Sequence, residues 1–188
     1  MQRARLTAAA ILAIAALSFA TIRAARGARE RQFFSARAGV GVQAPPGWAL
    51  SMHTGYPKIL CLLVHPGGSR ISLAVDDAAT APNAIALAEQ NRPGLVAQGI
   101  EVVAVAPAPR DTAVLDARSD RRHQVLRQVY LVRDVPWGRQ AIVLTLTVPA
   151  GDASGANGAL DWVAAHLDLE PPPPRDDHHR LRPDGGRD

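Results

Sequence analysis

The stretch ILCLLVHPGGSRISLAVDD, residues 59–77, gathers the only cysteine of the chain, Cys61, with His65, Ser69, Asp76 and Asp77. Those residue types suit acyl transfer: a serine nucleophile, a histidine base and a carboxylate that orients the base. Their spacing argues against it. KILCLLV and ISLAVDD read as strands, and HPGGSR as the turn between them, because proline presets φ and the glycines supply positive φ. A turn brings His65 near Ser69. Asp76 and Asp77 close the second strand about five residues, roughly 17 Å, away, at the opposite end of a hairpin. The same turn is a poor phosphate cradle, since it joins strand to strand with no helix N-terminus behind it. Cys61 lies in an unbroken apolar run and reads as a small buried hydrophobe. Being single, it allows no internal disulfide.

The other candidates are scattered. Asp176, Asp177, His178 and His179 form a chelating tract near the C-terminus, but zinc sites want ligands fixed by a scaffold, which a tail does not supply. His53, His123 and His166 stand on separate elements and read as exposed or singly bonded side chains. A hydrolase would need a cleft joining His123 with Asp116 or Asp134. We therefore assign no catalytic, cofactor-binding or metal-binding residue and expect no cofactor and no enzyme. Trp48 and Trp162 fall on apolar faces and read as core. Trp137, in the turn DVPWGR, either covers the sheet edge or marks a contact site. Arg127, Arg133 and Arg139 would run along neighbouring strands as a solvated face with cross-strand charge pairs.

The elements that must position these residues alternate between two textures. GVGVQAPPGWALSMH predicts a short strand through Val40 and Val42, a Pro45-Pro46-Gly47 turn and a second strand through Trp48, Leu50 and Met52. The 59–77 hairpin follows, its first strand apolar throughout as if covered on both faces. TAPNAIALAEQNRPGLVAQG then predicts a helix with Thr80 as N-cap, Gly99 as its stop and a kink or break at Pro93. Ile85, Ala88, Leu95 and Val96 would supply its core stripe. Three strands follow: IEVVAVA, ending at Pro107; TAVLDARSD; and HQVLRQVYLVRD. The last alternates, with Val125, Arg127, Val129, Leu131 and Arg133 on one face and Leu126, Gln128, Tyr130 and Val132 on the other. VPWG turns the chain into RQAIVLTLTV. PAGDASGANG reads as a flexible loop, and ALDWVAAHLDL as a closing helix presenting Leu160, Trp162, Val163 and Leu167.

Strands joined mostly by turns, with a helix between two groups and another at the end, argue for an α+β fold. We expect an antiparallel β-sheet with helices packed on its faces, a single-domain α/β sandwich over residues 38–169. About 130 residues suffice for one core. Residues 1–37 hold seven arginines and one acid, whereas residues 38–188 hold 14 basic and 16 acidic side chains. The domain thus has no concentrated basic footprint, and no nucleic-acid partner is expected. Within 1–37, Arg3 and Arg5 precede an uncharged run from Leu6 to Ile22, followed by Arg23, Arg26, Arg29 and Arg31. Seventeen residues of helix span roughly 25 Å, just short of a bilayer core. Two readings stay open: a cleaved secretory signal with Ser18-Phe19-Ala20 at the cleavage site, or an anchor contacting the membrane through residues 6–22. Either one predicts the cell envelope, in the periplasm or anchored to the inner membrane. Residues 170–188, EPPPPRDDHHRLRPDGGRD, are too polar and proline-rich to fold alone and read as a disordered tail.

This layout resembles the PsbP/DcrB-like superfamily of α/β sandwiches. The likeness covers residues 38–169: a short strand, then PPGWAL with Pro46, Gly47 and Trp48, a hairpin, a helix ending in AQGIEV, a meander of long strands and a closing helix. That group includes photosystem oxygen-evolving subunits, a Ran-binding nucleotide-release factor, bacterial envelope lipoproteins and chaperones of type VI secretion effectors. The resemblance implies contact with proteins or ligands and carries over no catalytic residue. The chain departs from the lipoprotein members in lacking a lipidation cysteine. The expected function is a non-catalytic envelope accessory protein with an unknown protein partner or a small ligand. The alternative is a chaperone or carrier for a hydrophobic segment or lipid.

Overall fold

Strand β9, Gly138–Pro149, is the longest apolar alternation of the chain, and it lies inside the main sheet. Its even-numbered residues Ile142, Leu144, Leu146 and Val148 enter one core, while Ala141 and Val143 face a second core across the sheet. This period of two is what a strand covered on both faces requires. The computed structural model describes residues 31–52, 58–78, 80–149 and 153–173.

Seven strands form the main sheet in the order β3-β4-β5-β9-β8-β7-β6, and every neighbouring pair is antiparallel. They are β3 Ala49–Ser51, β4 Ile59–Val64, β5 Arg70–Asp77, β6 Glu101–Ala108, β7 Thr112–Ser119, β8 Gln124–Val135 and β9. A smaller sheet, β1-β2-β10, combines β1 Gln32–Ser35, β2 Val40–Gln43 and β10 Asp168–Leu169. Helix α1, Ala84–Ala97, packs on β6, β7 and β8 from one side. Helix α2, Ala153–Ala165, packs on β8 and β9 from the other side, where Val40 and Val42 of β2 share its core. The chain is an α+β sandwich: an antiparallel sheet with helices on both faces.

Several expectations shift in detail. Among the described residues the first strand starts at Gln32, ahead of residue 38, where Phe33 pairs with Val42 and packs on the core. The Pro45-Pro46-Gly47 turn is present, closed by the Trp48 amide on the Pro45 carbonyl at 3.1 Å. It carries the chain from the small sheet to the main one, so β2 and β3 pair with different partners. The α1 cap is Asn83 in place of Thr80: its side-chain oxygen accepts from the Ala86 amide at 2.9 Å. That start sets the helix phase, so Ala84, Leu87 and Ala88 are buried, and Ile85 and Val96 are exposed. Pro93 sits inside one continuous helix and does not split it. The segment expected as a flexible loop after β9 instead starts α2 at Ala153. Strand β4 is buried only on alternate residues, Cys61 and Leu63. Leu62 and Val64 are half-buried on a face that α1 does not reach.

The N-terminal segment 1–30, His53 and the tract Asp176–His179 lie outside the described residues. Among the described residues, no helix is long and apolar enough to cross a membrane.

Candidate functional site

The residues of the imagined triad are spent on structure. The His65 amide donates to the Ser69 carbonyl at 2.9 Å, and the Gly68 amide to the His65 carbonyl at 2.9 Å. The His65 ring accepts from the Gly67 amide through Nδ1 at 3.1 Å, and lies 5.3 Å from the Trp48 ring. Ser69 is buried. Asp76 is at the far end of β5, where it pairs with Lys58. Burial opposes ionisation of Asp76, but hydrogen bonds from Lys58 and from the Asp77 amide hold its carboxyl below the ordinary value. His123 sits in an exposed turn at φ 49°, Asp116 pairs with Arg127 at 3.5 Å, and Asp134 pairs with Arg139 at 3.3 Å. His123 and Asp134 lie at opposite ends of β8, and the three residues share no cleft. Among the described residues, no three His, Cys, Asp or Glu side chains are grouped to hold a metal ion. Cys61 is buried, and burial pushes its thiol pKa up to about 12, so the nucleophilic thiolate is suppressed.

Trp48 is core. Trp162 is partly buried on the core and stacks on His166 with ring centroids 4.0 Å apart. Trp137 is half-exposed at the β8–β9 turn, beside Asp76, Asp77 and Arg139, around a polar hollow of 180 Å³. Of the three arginines expected on a solvated face, Arg127 and Arg139 do make cross-strand ion pairs. Arg127 does so imperfectly: its Nε is shielded from solvent and makes no hydrogen bond. Arg133 is the exception. Its guanidinium turns inward and donates to Gln140 Oε1 at 2.8 Å, Ala38 O at 2.7 Å, Gly39 O at 3.0 Å and Glu170 O at 3.0 Å. Burial lowers its pKa.

The feature with the shape of a binding site is a cleft of 530 Å³ between α2 and the main sheet. Strand register builds its floor from two adjacent rows. Val114, Val129 and Leu144 lie side by side across β7, β8 and β9, and Thr112, Leu131 and Ile142 form the next row. One wall is the C-terminal half of α2 with Asp161 and Ala164, continued by Leu167 and by Leu169 of β10. The opposite lip is the β6–β7 turn, where Pro109 and Arg110 line the opening. Arg110 and Asp111 hold positive φ, 60° and 55°, a conformation that disfavours side chains. The cleft exists because α2 covers β8 and β9 but not β6 and β7, while α1 covers the latter from behind. Its lining is aliphatic, with Thr112, Asp161 and Arg110 as its polar side chains. A space of this size, with few polar groups, is suited to an apolar guest. Asp161 and the negative end of the α2 dipole make the helix wall electronegative.

These residues escaped the sequence reading. Alternation in β8 does place Val129 and Leu131 together, but no pattern within β8 says that its neighbouring face lacks a helix.

The chain matches no described protein family by sequence, and no curated protein matches it. By structure it is similar to the Ran-binding protein Mog1p of Saccharomyces cerevisiae, with a TM-score of 0.51 at 10% identity, covering 73% of this chain and 94% of that one. A mutant of protein Mog1 matches with a TM-score of 0.50 at 11% identity, over 70% of this chain and 90% of that one. At such identity the likeness is one of fold.

Proposed function

We propose that this protein is a non-catalytic binding module whose cleft between α2 and the β7–β9 floor takes an apolar segment of a protein partner. The observation that carries the reading is the cleft itself: an aliphatic floor left open beside a helix, with no nucleophile–base pair on its lining. Likeness in fold to a protein described as Ran-binding supports a binding role. Kinship with the PsbP/DcrB-like sandwiches is part of this proposal and rests on the order of elements over residues 38–169. The basic-apolar-basic segment 1–31 supports delivery to the cell envelope, where the partner would be met.

Electrostatics separates the protein segment from a fatty-acid-like ligand. A head group seated at α2 meets Asp161 and the helix C-terminus, which repel a carboxylate, whereas Arg110 on the opposite lip would attract one seated there. A neutral or cationic apolar group is favoured at α2. The test uses the purified full chain, the neutral dye Nile red, and decylamine against decanoate as competitors. Decylamine should displace the dye at lower concentration than decanoate, and Ala164→Trp, which plugs the wall, should abolish dye binding. Equal dye binding by wild type and the plugged variant sinks the assignment of the cleft. Preferential displacement by decanoate points to a fatty-acid carrier instead.

A further inference from the structure

The wall of the cleft contributed by Leu169 belongs to a thin piece of chain. Strand β10 has two residues, pairing Asp168 with Gly41 and Leu169 with Val40. The Glu170 amide then donates to Gly39 O at 3.0 Å. Asp168, Leu169 and Glu170 are all exposed, Leu169 to 40%, and Pro172 is buried. Segments that bury so little apolar surface open locally at lower free energy than the sheet they lie on.

What holds this piece is Arg133, reaching from β8. Nη1 of its guanidinium donates to the carbonyl of Glu170. Nη2 donates to the carbonyls of Ala38 and Gly39 in the β1–β2 turn, and Nε donates to Gln140, whose own amide donates to Ala38 O at 3.1 Å. Among the described residues, no carboxylate lies within ion-pair distance of Arg133. A half-buried cation paired only with carbonyls is a poor source of stability compared with an apolar side chain of similar volume. The planar fork of donors does supply position, since it joins three segments at once. Gly39 completes the clasp. It holds φ +60°, and a Cβ there would lie 2.2 Å from Glu170 O and 2.9 Å from Pro172 N, so only glycine lets the two backbones cross.

We propose that residues 168–173 form a strap that opens as a unit while the sheet stays folded, and that Arg133 is the pin setting how often it opens. Because Leu169 walls the cleft, strap opening regulates entry to it. This second part rests on the reading of the cleft as a binding site. Arg133 acts through the strap and is a positioning residue.

Amide hydrogen exchange on the full chain, wild type against Arg133→Lys, tests the strap. Lysine keeps the charge but loses the fork. The amides of Asp168 and Glu170, the two that point at β2, should lose at least tenfold in protection, and those of Val129 and Leu144 in the sheet should not change. Gly39→Ala, whose Cβ would press on the backbone at Glu170 and Pro172 and come within 3.1 Å of Arg133 Nη2, spreads the clasp while leaving residue 133 an arginine; it should give the same selective pattern and covers the case in which the Arg133→Lys variant fails to fold. A uniform fall across strap and sheet, or no change at the strap, overturns the proposal. The association rate of Nile red, measured in the same proteins, should rise with strap opening. An unchanged rate removes the gating part. If the wild type takes up no dye at all, the binding reading falls, and exchange alone still decides the strap.

Discussion

Leu144 and Leu146 lie two residues apart on β9, face the same side of the sheet, and are equally buried, each at 1% exposure. Truncating either to alanine removes three carbons, a transfer loss of about 2.4 kcal/mol at about 0.8 kcal/mol per buried methylene. The cavity left behind sets the rest. Leu146 lies between Ile71 and Arg127 in its cross-strand row, away from the cleft lining. Its removal leaves a closed hole, and Leu146→Ala should cost about 4–5 kcal/mol, the upper part of the range for such truncations. Leu144 is cleft floor. The space vacated by Leu144→Ala should join the adjoining cleft instead of forming a separate hole, so less new cavity surface is created, and the cost should be about 2.5–3 kcal/mol. The difference of about 1.5 kcal/mol corresponds to roughly 0.5–1.5 M in urea midpoint at an ordinary slope. Urea unfolding of the two full-length variants, followed by tryptophan fluorescence, measures it. Leu144→Ala should also deepen the cleft and tighten Nile red binding, whereas Leu146→Ala should not. Equal costs, or a larger cost at Leu144, would show that the floor is sealed from solvent and that the cleft does not exist as described.

Alkaline pH should destabilise the protein through two buried acids. The folded pKa of Cys61 is raised from 9.0 to about 12 and that of Tyr130 from 10.0 to about 12, both by burial. Each favours the neutral form in the folded state, so its contribution is full below the unfolded pKa and is lost as pH rises from about 9 to 12. Thermal melting across that window should show the loss, and Cys61→Ala should flatten its lower part. Below pH 9, Cys61 should react with thiol reagents only as fast as the chain unfolds, as stopped-flow labelling with and without urea would reveal. Asn83→Ala should cost about 1 kcal/mol through the lost α1 cap, measured by urea unfolding. Arg110→Gly should raise stability by about 1 kcal/mol, because glycine adopts the left-handed conformation at φ 60° without strain. A fall in its melting temperature would contradict this.

The sequence by itself determined the long strands of the main sheet and, in β5, β8 and β9, their faces, though it missed β1 and β10. In β8, Val129 and Leu131 lie on one face and Tyr130 on the other, as alternation requires, and Pro45-Pro46-Gly47, His65–Ser69 and Gly99 are turns or stops for reasons local to their backbones. It also separated Ser69 from Asp76, since the length of a strand is a local quantity. The antiparallel sandwich followed from the order of those elements. Other features needed the third dimension. Phe33 looks like part of a basic linker until Val42 is set beside it. Which residues of α1 are buried depends on where Asn83 starts the helix turn. Arg133 shares the period of its exposed neighbour Val125, yet it turns inward because carbonyls from positions 38, 39 and 170 converge on it. The cleft belongs to this second group. Its floor is made of residues already readable as apolar, but its opening is a gap between layers, set by how far α2 extends across the sheet. Periodicity records which way a side chain points, and only the packed structure decides what, if anything, stands opposite.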